Sequence, residues 1–441
     1  MNSRIRIAAV GIAVSAVALA GCSSASSDDN GADKGDGVTI TYLTHWGPDQ
    51  ASQLEDAAEA FSAKNEGVTV EIQSVPFDQL LSTLATQGTG PNGPTITNIY
   101  TAWLPQLATD GIIAPAPDAV ASAVTADYAA GFAEAASFDG AVYGIPNEVA
   151  LYQTNYNTAL FADAGVAAAP TNWDEMVAAG EALKAAGVQN PIGFITAWGN
   201  GVVHPFLSFL ASNGGSFLNE DGTASALTSP EALEVAELYQ ELAASGLTDV
   251  TLSTADANTT GPYLDAFSQG HTGMLVMANW WKSTLESAMG DGFADIASAP
   301  IPVGPSGDVS SSVSYTWATV VSSKAAEAEQ EAAWEFLEFL NGSDSGEAGS
   351  SAMGDILMGM GILPSSSNDL EAHAATLDTP FLKSYVDAQA TATPFPTVNG
   401  IAEATTALQT ELEALLNGQK DAAAAMAAAD AAVNAALDAA R

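Results

Sequence analysis

From Val38 onward the chain repeats strand-like segments followed by amphipathic helical segments, and this alternation limits the folds open to it. Val38–Leu43 alternates apolar and polar residues, and a helical pattern follows it to about Asn65. Val68–Ile72 and Pro94–Tyr100 are the next strand-like segments, and each precedes another helical pattern. Because strand–helix–strand order places parallel strands in one sheet, it predicts an α/β fold with a doubly wound, mostly parallel sheet.

The pattern starts again after residue 140, which predicts a second lobe of the same class. Further strand-like segments are found at residues 141–157, 192–196, 273–277 and 314–322. In open sheets of this kind, ligands bind beyond the carboxyl ends of the strands. Residues 46–49 and 98–103 are therefore the first places to search for a binding site.

The charge balance excludes several classes of partner. The chain of 441 residues carries 10 Lys and Arg against 52 Asp and Glu, a formal net charge of −42. Such a surface repels phosphate backbones, so we expect no nucleic-acid binding. The arginines are Arg4, Arg6 and Arg441. A carboxylate or phosphate ligand usually needs a guanidinium clamp, so an anionic small molecule is disfavoured.

The first residues have the features of an export signal. Residues 1–21 comprise a basic start, a short apolar run and small residues before Cys22, and the apolar run is too short to span a membrane comfortably. Leu19-Ala20-Gly21-Cys22 resembles the lipobox of bacterial lipoproteins, which implies lipidation of Cys22. We expect residues 22–37 to be the lipidated cysteine and a flexible tether that holds the protein to the outer face of the cytoplasmic membrane.

Several short motifs occur in an order typical of one family. They are Gly140-Ala-Val-Tyr-Gly-Ile-Pro146, Asn155-Tyr-Asn157, Phe161-Ala-Asp-Ala-Gly165, Pro170-Thr-Asn-Trp-Asp-Glu175, Phe267-Ser-Gln-Gly-His-Thr-Gly-Met274 through Trp280, Ala333-Trp-Glu-Phe-Leu-Glu-Phe-Leu340 and Gly361-Ile-Leu-Pro364. In this order the chain resembles the family 1 extracellular solute-binding proteins of carbohydrate ABC transporters, the group that includes maltose-binding protein. The resemblance extends from Val38 to about Leu437.

The resemblance implies a type II periplasmic-binding-protein-like fold, in which two lobes enclose a ligand cleft and are hinged by about three crossing segments. We expect these crossings near residues 147–151, 306–314 and 341–347. On that interpretation, lobe 1 is residues 38–148 plus 313–342, and lobe 2 is residues 149–312 plus 343–441. The resemblance also implies ABC permease subunits with their ATPase as partners of a monomeric protein.

A neutral sugar needs flat aromatic rings for its C–H faces and polar groups for its hydroxyls. We predict that four tryptophans at the ends of strand-like runs contact it: Trp46, Trp198, Trp280 and Trp317. Burial in the core is the alternative for each of them. Trp173 and Trp334 are predicted to be core residues, while Trp103 and Trp281 are held in reserve.

Five further side chains are predicted ligand contacts, and each has an alternative. They are Asp49, Asn98, Glu148, Asn279 and Phe395. Asp49 is equally suited to cap a helix, and the two asparagines to form turns. Glu148 lies on the first predicted crossing, where it either accepts two hydroxyl bonds or is a solvated charge. Phe395 lies between prolines, which also suits a rigid loop.

No catalytic, metal-binding or cofactor motif is recognised. His45, His204, His271 and His373 are scattered, with no metal-ligand spacing among them. We therefore expect a binding protein for a neutral mono- or oligosaccharide that is not an enzyme and has no cofactor. Two alternatives stay open: a binder of a cationic or zwitterionic solute held by a tryptophan cage, and a secreted glycosidase that uses two carboxylates.

Overall fold

The computed structural model describes residues 37–255 and 261–441, without the side chains of Asp49, Gly199 and Asn200. The predictions for the export signal, Cys22 and nearly all of the tether fall on residues 1–36 and lie outside the described residues. Residues 37–441 form one compact unit.

The strands follow the predicted alternation closely. They are β1 (Val38–Thr44), β2 (Val68–Ser74), β3 (Ile96–Tyr100), β4 (Ser137–Phe138), β5 (Ala141–Val142), β6 (Gly144–Asn157), β7 (Asn190–Gly193), β8 (Thr272–Ala278), β9 (Ile296–Ala299), β10 (Val313–Val321), β11 (Leu363–Pro364) and β12 (Thr393–Pro394). All five residues of β3 are buried, as expected for a central strand covered on both faces.

Helices connect these strands and close the chain. They are α1 (Pro48–Lys64), α2 (Phe77–Gln87), α3 (Leu104–Thr109), α4 (Asp118–Asp127), α5 (Ala130–Ala135), α6 (Thr158–Asp163), α7 (Trp173–Ala185), α8 (Gly199–Ser212), α9 (Pro230–Ala244), α10 (Gly261–Ser268), α11 (Lys282–Met289), α12 (Glu327–Leu340), α13 (Ala352–Met360), α14 (Ser367–Ala372), α15 (Ala374–Leu377), α16 (Lys383–Ala388), α17 (Ile401–Leu416) and α18 (Ala422–Ala439). Short 3-10 helices cover Thr101–Trp103, Asn279–Trp281 and Gly290–Asp295.

Helix α1 shows how the sequence determines these elements. It begins at Pro48, whose fixed φ suits a first helical position, and its N-cap is Gly47. Leu54, Ala58 and Phe61 recur at helical spacing and are all buried, so this face packs on the sheet. Because Gly47 is the N-cap, the interpretation of Asp49 as a capping residue is wrong.

The α/β fold class is confirmed, and the sheet is mixed. Its strand order is β2-β1-β3-β10-β6-β8-β7, with β11 and β9 added to β6 and β12 added to β10. The pairs β1–β2, β1–β3 and β7–β8 are parallel, as the strand–helix alternation predicts. Strand β10 returns from far along the chain and runs antiparallel to both β3 and β6. The sheet is therefore less parallel than expected, because long-range pairing places β10 at its centre.

Strand β6 is common to both ends of the sheet. It pairs with β10 as far as Leu151, and from Tyr152 onward it pairs with β8. Its 14 residues thus change partners within one continuous strand.

Two buried apolar clusters stabilise the unit. One surrounds β1, α1, α12 and α13 and includes Trp46 and Trp334, whereas the larger one extends along the rest of the sheet and includes Trp173. Trp173 and Trp334 are 9% and 6% exposed, which confirms the prediction that both are core residues. Within residues 37–255 and 261–441, no helix has the length and apolarity needed to cross a membrane.

Candidate functional site

The centre of the candidate site is a buried carboxyl group on β6. Glu148 is 4% exposed, so the interpretation of it as a solvated charge is wrong. Its Oε1 accepts hydrogen bonds from Trp46 Nε1 and from Asn98 Nδ2, each at 2.9 Å. Asn147 Nδ2 in turn donates to Asn98 Oδ1 at 2.8 Å and orients that amide. Asn98 is therefore a strand residue of β3 that holds Glu148, and its turn interpretation is also wrong.

The protonation of Glu148 is balanced near neutral pH. Burial raises the pKa of its carboxyl group to about 7, although the hydrogen bonds from Asn98 and Trp46 act in the opposite direction. Both donors reach Oε1, and among the described residues none reaches Oε2. The second carboxyl oxygen is thus the one available to a polar ligand.

Aromatic rings cluster at the carboxyl ends of β1 and β3. The ring of His45 stacks on Trp317 with centroids 4.1 Å apart, and Phe77 stacks near Trp103 at 6.2 Å. Tyr100 lies 6.1 Å from Trp317, its cross-strand partner on β10. Trp317 therefore lies in the middle of β10, and the prediction that it lies at the end of a strand is wrong.

A second group of rings lies around the carboxyl end of β8. Trp280 contacts Tyr152 at 5.6 Å between centroids and Trp281 at 5.5 Å. Trp281 also contacts Trp198, just before α8, at 6.0 Å. Trp281 was one of the two tryptophans left unassigned in the sequence analysis. It is 7% exposed and packs against both Trp280 and Trp198.

Tyr315 and His204 join the two groups. Tyr315 lies 5.4 Å from Tyr100 and 5.8 Å from Trp280, so one ring of β10 touches both groups. His204, on α8, stacks on Tyr315 at 4.4 Å, and its Nε2 lies 3.3 Å from the hydroxyl of Tyr100. These rings therefore form one continuous aromatic cluster, which we call the ring cluster. Its members are His45, Phe77, Tyr100, Trp103, Tyr152, Trp198, His204, Trp280, Trp281, Tyr315 and Trp317.

Most of the ring cluster is buried, but five rings are only partly so. These partly exposed rings are His45, Phe77, Tyr315, Trp280 and Trp198. They lie after β1, on α2, on β10, in the 3-10 helix after β8 and just before α8, and so at both ends of the sheet. Because stacking requires an accessible face, these five are the rings that a ligand can reach.

Trp198 is held in a strained backbone conformation. Its φ of 107° lies in a region that residues other than glycine rarely adopt. A Cβ atom at Gly201, in the first turn of α8, would overlap the indole ring of Trp198. Backbone strain of this kind persists where the surrounding structure enforces it, and it concentrates at binding and catalytic sites.

The ring cluster carries no fixed positive charge. Burial lowers the pKa of both His45 and His204 to about 3, so both imidazoles are neutral at physiological pH. Among the described residues, the Nδ1 atoms of both histidines are buried without a hydrogen-bond partner. Buried polar atoms are normally satisfied, so these two nitrogens are exceptions within the ring cluster.

The remaining predicted site residues have different positions. Asn279 is fully buried, and its side-chain amide forms two hydrogen bonds with the backbone of β6. Its Oδ1 accepts from Leu151 N at 3.0 Å, and its Nδ2 donates to Val149 O at 3.1 Å. Phe395 is 6% exposed and packs 5.9 Å from Tyr100. The side chain of Asp49 lies outside the described residues.

Six aromatic residues of the site were not predicted from the sequence: His45, Phe77, Tyr100, Tyr152, His204 and Tyr315. Tyr315 had a usable signal, since it is two residues from Trp317 on one strand and therefore faces the same side. His204 had none, because only the packing of α8 brings it to Tyr315. Among the described residues, no group of three or more His, Cys, Asp or Glu is arranged to hold a metal ion.

The whole unit matches known structures. It superimposes on the cyclic alpha-maltosyl-1,6-maltose binding protein of Arthrobacter globiformis with a TM-score of 0.75 at 24% identity, covering 91% of this chain and 99% of that one. The fold is therefore the two-lobed α/β fold of binding proteins, with helices on both faces of mixed sheets.

Sequence comparison gives the family. The family described as bacterial extracellular solute-binding protein matches residues 47–347. The chain belongs to this family, and it is accordingly an exported protein. A putative binding protein of Brucella abortus (strain 2308) is 29% identical over 289 residues, which is 65% of this chain and 68% of the relative. The diacetylchitobiose binding protein DasA of Streptomyces coelicolor is 28% identical over 285 residues, 63% of this chain and 64% of DasA.

Proposed function

We propose that this protein is the lipid-anchored solute receptor of an ABC importer, and that it binds a neutral mono- or oligosaccharide between its two lobes. One observation carries the proposal: partly exposed aromatic rings from both ends of the sheet meet beside a buried carboxyl group, without a cation among them. Flat rings suit the C–H faces of a pyranose, and carboxyl and amide groups suit its hydroxyls.

The charge of the site favours an uncharged ligand. The imidazoles of His45 and His204 are neutral, so neither acts as a counter-ion for an anion. The carboxyl of Glu148, with its raised pKa, is a weak counter-ion for a cation because it is partly protonated at neutral pH. A hydroxylated, uncharged molecule matches both properties.

The similar proteins support a carbohydrate. DasA is by name a diacetylchitobiose binding protein, and the Arthrobacter protein is by title a binding protein for a cyclic maltosyl-maltose. Both ligands are oligosaccharides. Recognition by such a protein is a step of import, so we also propose that no chemical reaction takes place in the site and that the ligand passes to permease subunits driven by an ATPase.

Closure of the lobes would follow ligand binding as a shift between an open and a closed population. We propose lobe 1 as residues 38–148 plus 313–342 and lobe 2 as residues 149–312 plus 343–441, with crossings near residues 147–151, 306–314 and 341–347. The exchange of β6 from β10 to β8 between Leu151 and Tyr152 supports the first of these crossings.

The anchor belongs to the same proposal. We propose that Cys22 is lipidated after removal of residues 1–21 and that the receptor works as a monomer at the outer face of the cytoplasmic membrane. Expression of the full chain and of a Cys22→Ala variant tests the anchor. The wild-type protein should partition with membranes and the variant should not, and equal partitioning would contradict it.

Isothermal titration calorimetry with a panel of neutral mono- and oligosaccharides tests the ligand class. We expect at least one sugar to bind, and we expect Trp280→Ala to weaken that binding at least 10-fold by removing a stacking face. Trp173→Phe is the matched control, because it alters an indole that packs on Phe209 outside the ring cluster. Binding of a non-carbohydrate ligand, with no response to any sugar, would overturn the proposal.

A further inference from the structure

A surface groove runs between α7 and α9, and no member of the ring cluster lines it. One side is α7 from Trp173 to Glu181, and the other is α9 from Glu234 to Glu241. Pro305 lies at one end. We call it the acidic groove.

Both rims of the acidic groove carry carboxylates at helical spacing. Asp174 and Glu181 are seven positions apart on α7, and Glu234 and Glu241 are seven apart on α9, with Glu237 between them. Seven residues are two helical turns, or about 10 Å, so each helix presents a row of acids on one face. Asp174, Glu181, Glu237 and Glu241 are exposed, and none of the four forms an ion pair with another described residue.

No positive charge offsets these two rows. Among the described residues that line the acidic groove there is no Lys, Arg or His. Lys184 is close by on α7, but its Nζ donates to Ser245 O at 2.6 Å, just past the end of α9. Because like charges on facing rims repel one another, a cationic occupant is attracted to both rims at once.

Both ends of the acidic groove are held in place. At one end, Glu234 Oε2 accepts hydrogen bonds from Asn213 Nδ2 and Ser306 Oγ, each at 2.8 Å. At the other end, the bond from Lys184 to Ser245 O ties the two helices together. The rims are therefore ordered before anything binds, which lowers the entropy cost of docking. Glu234 is engaged internally, so the other four carboxylates are the ones available to an occupant.

The floor of the acidic groove lacks a hydrogen-bond acceptor. Leu238 and Val177 give it an apolar surface, and Trp173 is 9% exposed, with its Nε1 buried and unpartnered among the described residues. The Nε1 edge of the indole lies toward Gly304 and Pro305, because a Cβ at Gly304 would come within 2.7 Å of Cζ2 on that edge. An indole N–H is only a donor, so the group it needs is an oxygen acceptor.

These features together select the chemistry of an occupant. A polyamine or a metal ion brings positive charge without an acceptor, and a neutral sugar brings acceptors without charge. A peptide rich in lysine or arginine brings cationic heads, apolar stems and backbone carbonyls. An extended peptide advances about 3.3 Å per residue, so basic residues three positions apart repeat at about 10 Å, which matches the spacing of the acids along each rim.

We propose that the acidic groove docks an extended basic segment of a partner protein. Its Lys or Arg side chains pair with Asp174 and Glu181 on one rim and with Glu237 and Glu241 on the other, and one of its backbone carbonyls accepts from Trp173 Nε1. This docking goes beyond the proposed function, since the acidic groove shares no residue with the ring cluster.

Fluorescence anisotropy tests it, with the full chain titrated into a labelled nonapeptide that has lysine at every third position and alanine or leucine between. In 150 mM NaCl the Debye length is about 8 Å, so remote acids contribute little. We expect saturable binding that Glu181→Lys/Glu237→Lys weakens at least 10-fold. The matched control, Glu55→Lys/Glu59→Lys on the exposed face of α1, changes the net charge equally and should alter affinity less than 2-fold.

The indole is tested separately with Trp173→Phe, which should weaken the peptide about 3- to 10-fold. Spermidine, which has charge but no acceptor, should bind at least 10-fold more weakly than the peptide and should not respond to Trp173→Phe. Thermal unfolding checks that each variant is folded. Docking at the acidic groove is refuted if the peptide does not bind, if both double variants weaken it equally, or if spermidine binds as tightly as the peptide.

Discussion

The indole Nε1 of Trp46 donates a hydrogen bond to Glu148 Oε1 over 2.9 Å, although the two residues are 102 positions apart in the chain. Trp46 follows β1 and Glu148 lies on β6, so this bond joins the loop after the second strand of the sheet to the strand shared by both ends of the sheet. It also favours the charged carboxylate, in opposition to burial. The result is a carboxyl group whose charge changes near neutral pH.

We expect Glu148→Gln to stabilise the protein at pH 8 and to flatten its stability against pH. The pKa of Glu148 is raised from 4.5 to about 7 in the folded protein, so the folded state holds a proton that the unfolded chain releases above pH 4.5. The stability contributed by Glu148 is therefore complete below pH 4.5 and is lost as pH rises to about 7, a change of about 3 kcal/mol.

Urea unfolding at pH 5 and pH 8 measures this effect. Glu55→Gln, at an exposed position of α1, is the control and should retain the wild-type difference between the two pH values. Identical pH dependence in Glu148→Gln and the wild-type protein would contradict the burial argument.

His204 should make the protein sensitive to acid. Burial lowers its pKa from 6.5 to about 3, so below pH 6.5 the unfolded chain binds a proton that the folded state does not bind. This stability is present above pH 6.5 and is lost as pH falls, by at most about 1.4 kcal/mol per pH unit. His204→Phe keeps a ring against Tyr315 and should lose less stability between pH 6.5 and 4.5. Thermal unfolding across that range provides the comparison, and an unchanged acid response would show that His204 is not the source.

Gly201→Ala should weaken ligand binding without unfolding the protein. The new methyl group overlaps the indole of Trp198 and must displace it from its place beside Trp281. We expect at least a 10-fold loss of sugar affinity by calorimetry. The control is Gly292→Ala, where the nearest neighbour, Met289 Cβ, is at 3.9 Å, an ordinary contact. Equal affinities of the two variants would mean that Trp198 does not touch the ligand.

Asn279→Ala should destabilise the fold by about 2 to 4 kcal/mol. The substitution removes two buried hydrogen bonds and leaves Leu151 N and Val149 O without their partners. Asn417→Ala removes one hydrogen bond, from Nδ2 to Glu413 O, at an exposed helix end and should have a small effect. Chemical unfolding of both variants at one pH decides whether Asn279 braces β6 in this way.

Affinity for the sugar should be nearly independent of salt. An uncharged ligand has no ion pair for salt to screen, so binding measured at 50 mM and 500 mM NaCl should differ less than 2-fold. A cationic ligand in this strongly acidic protein would instead lose affinity steeply as salt increases. Such a loss would favour a cationic solute over a sugar.

Much of the fold could be predicted from the sequence, because local patterns determine it. The alternation of apolar and polar residues marks β1 and β2, a continuous apolar run marks β8, and helical spacing marks α1 and α12. The central position of β10 could not be predicted in this way. Its antiparallel pairing with β3 joins residues more than 200 positions apart, and no local pattern encodes that choice.

The candidate site was only partly predictable for the same reason. Trp198 and Trp280 follow strands, where α/β sheets place their ligands, and both rings are partly exposed. Trp46 also follows a strand, but its indole is buried and its N–H is engaged by Glu148. The sequence indicates which end of the sheet a ring occupies, whereas its exposure depends on every element packed around it.

The continuity of β6 has a practical consequence for protein engineering. Because one strand serves both β10 and β8, a reporter domain inserted within residues 144–157 would deprive both partners of their hydrogen bonds. The loop around Val309, whose side chain is 61% exposed, pairs with neither strand and lies in the second proposed crossing, so its geometry would change as the lobes close. An optical biosensor built on this receptor should carry its fluorescent insert there and keep β6 unbroken.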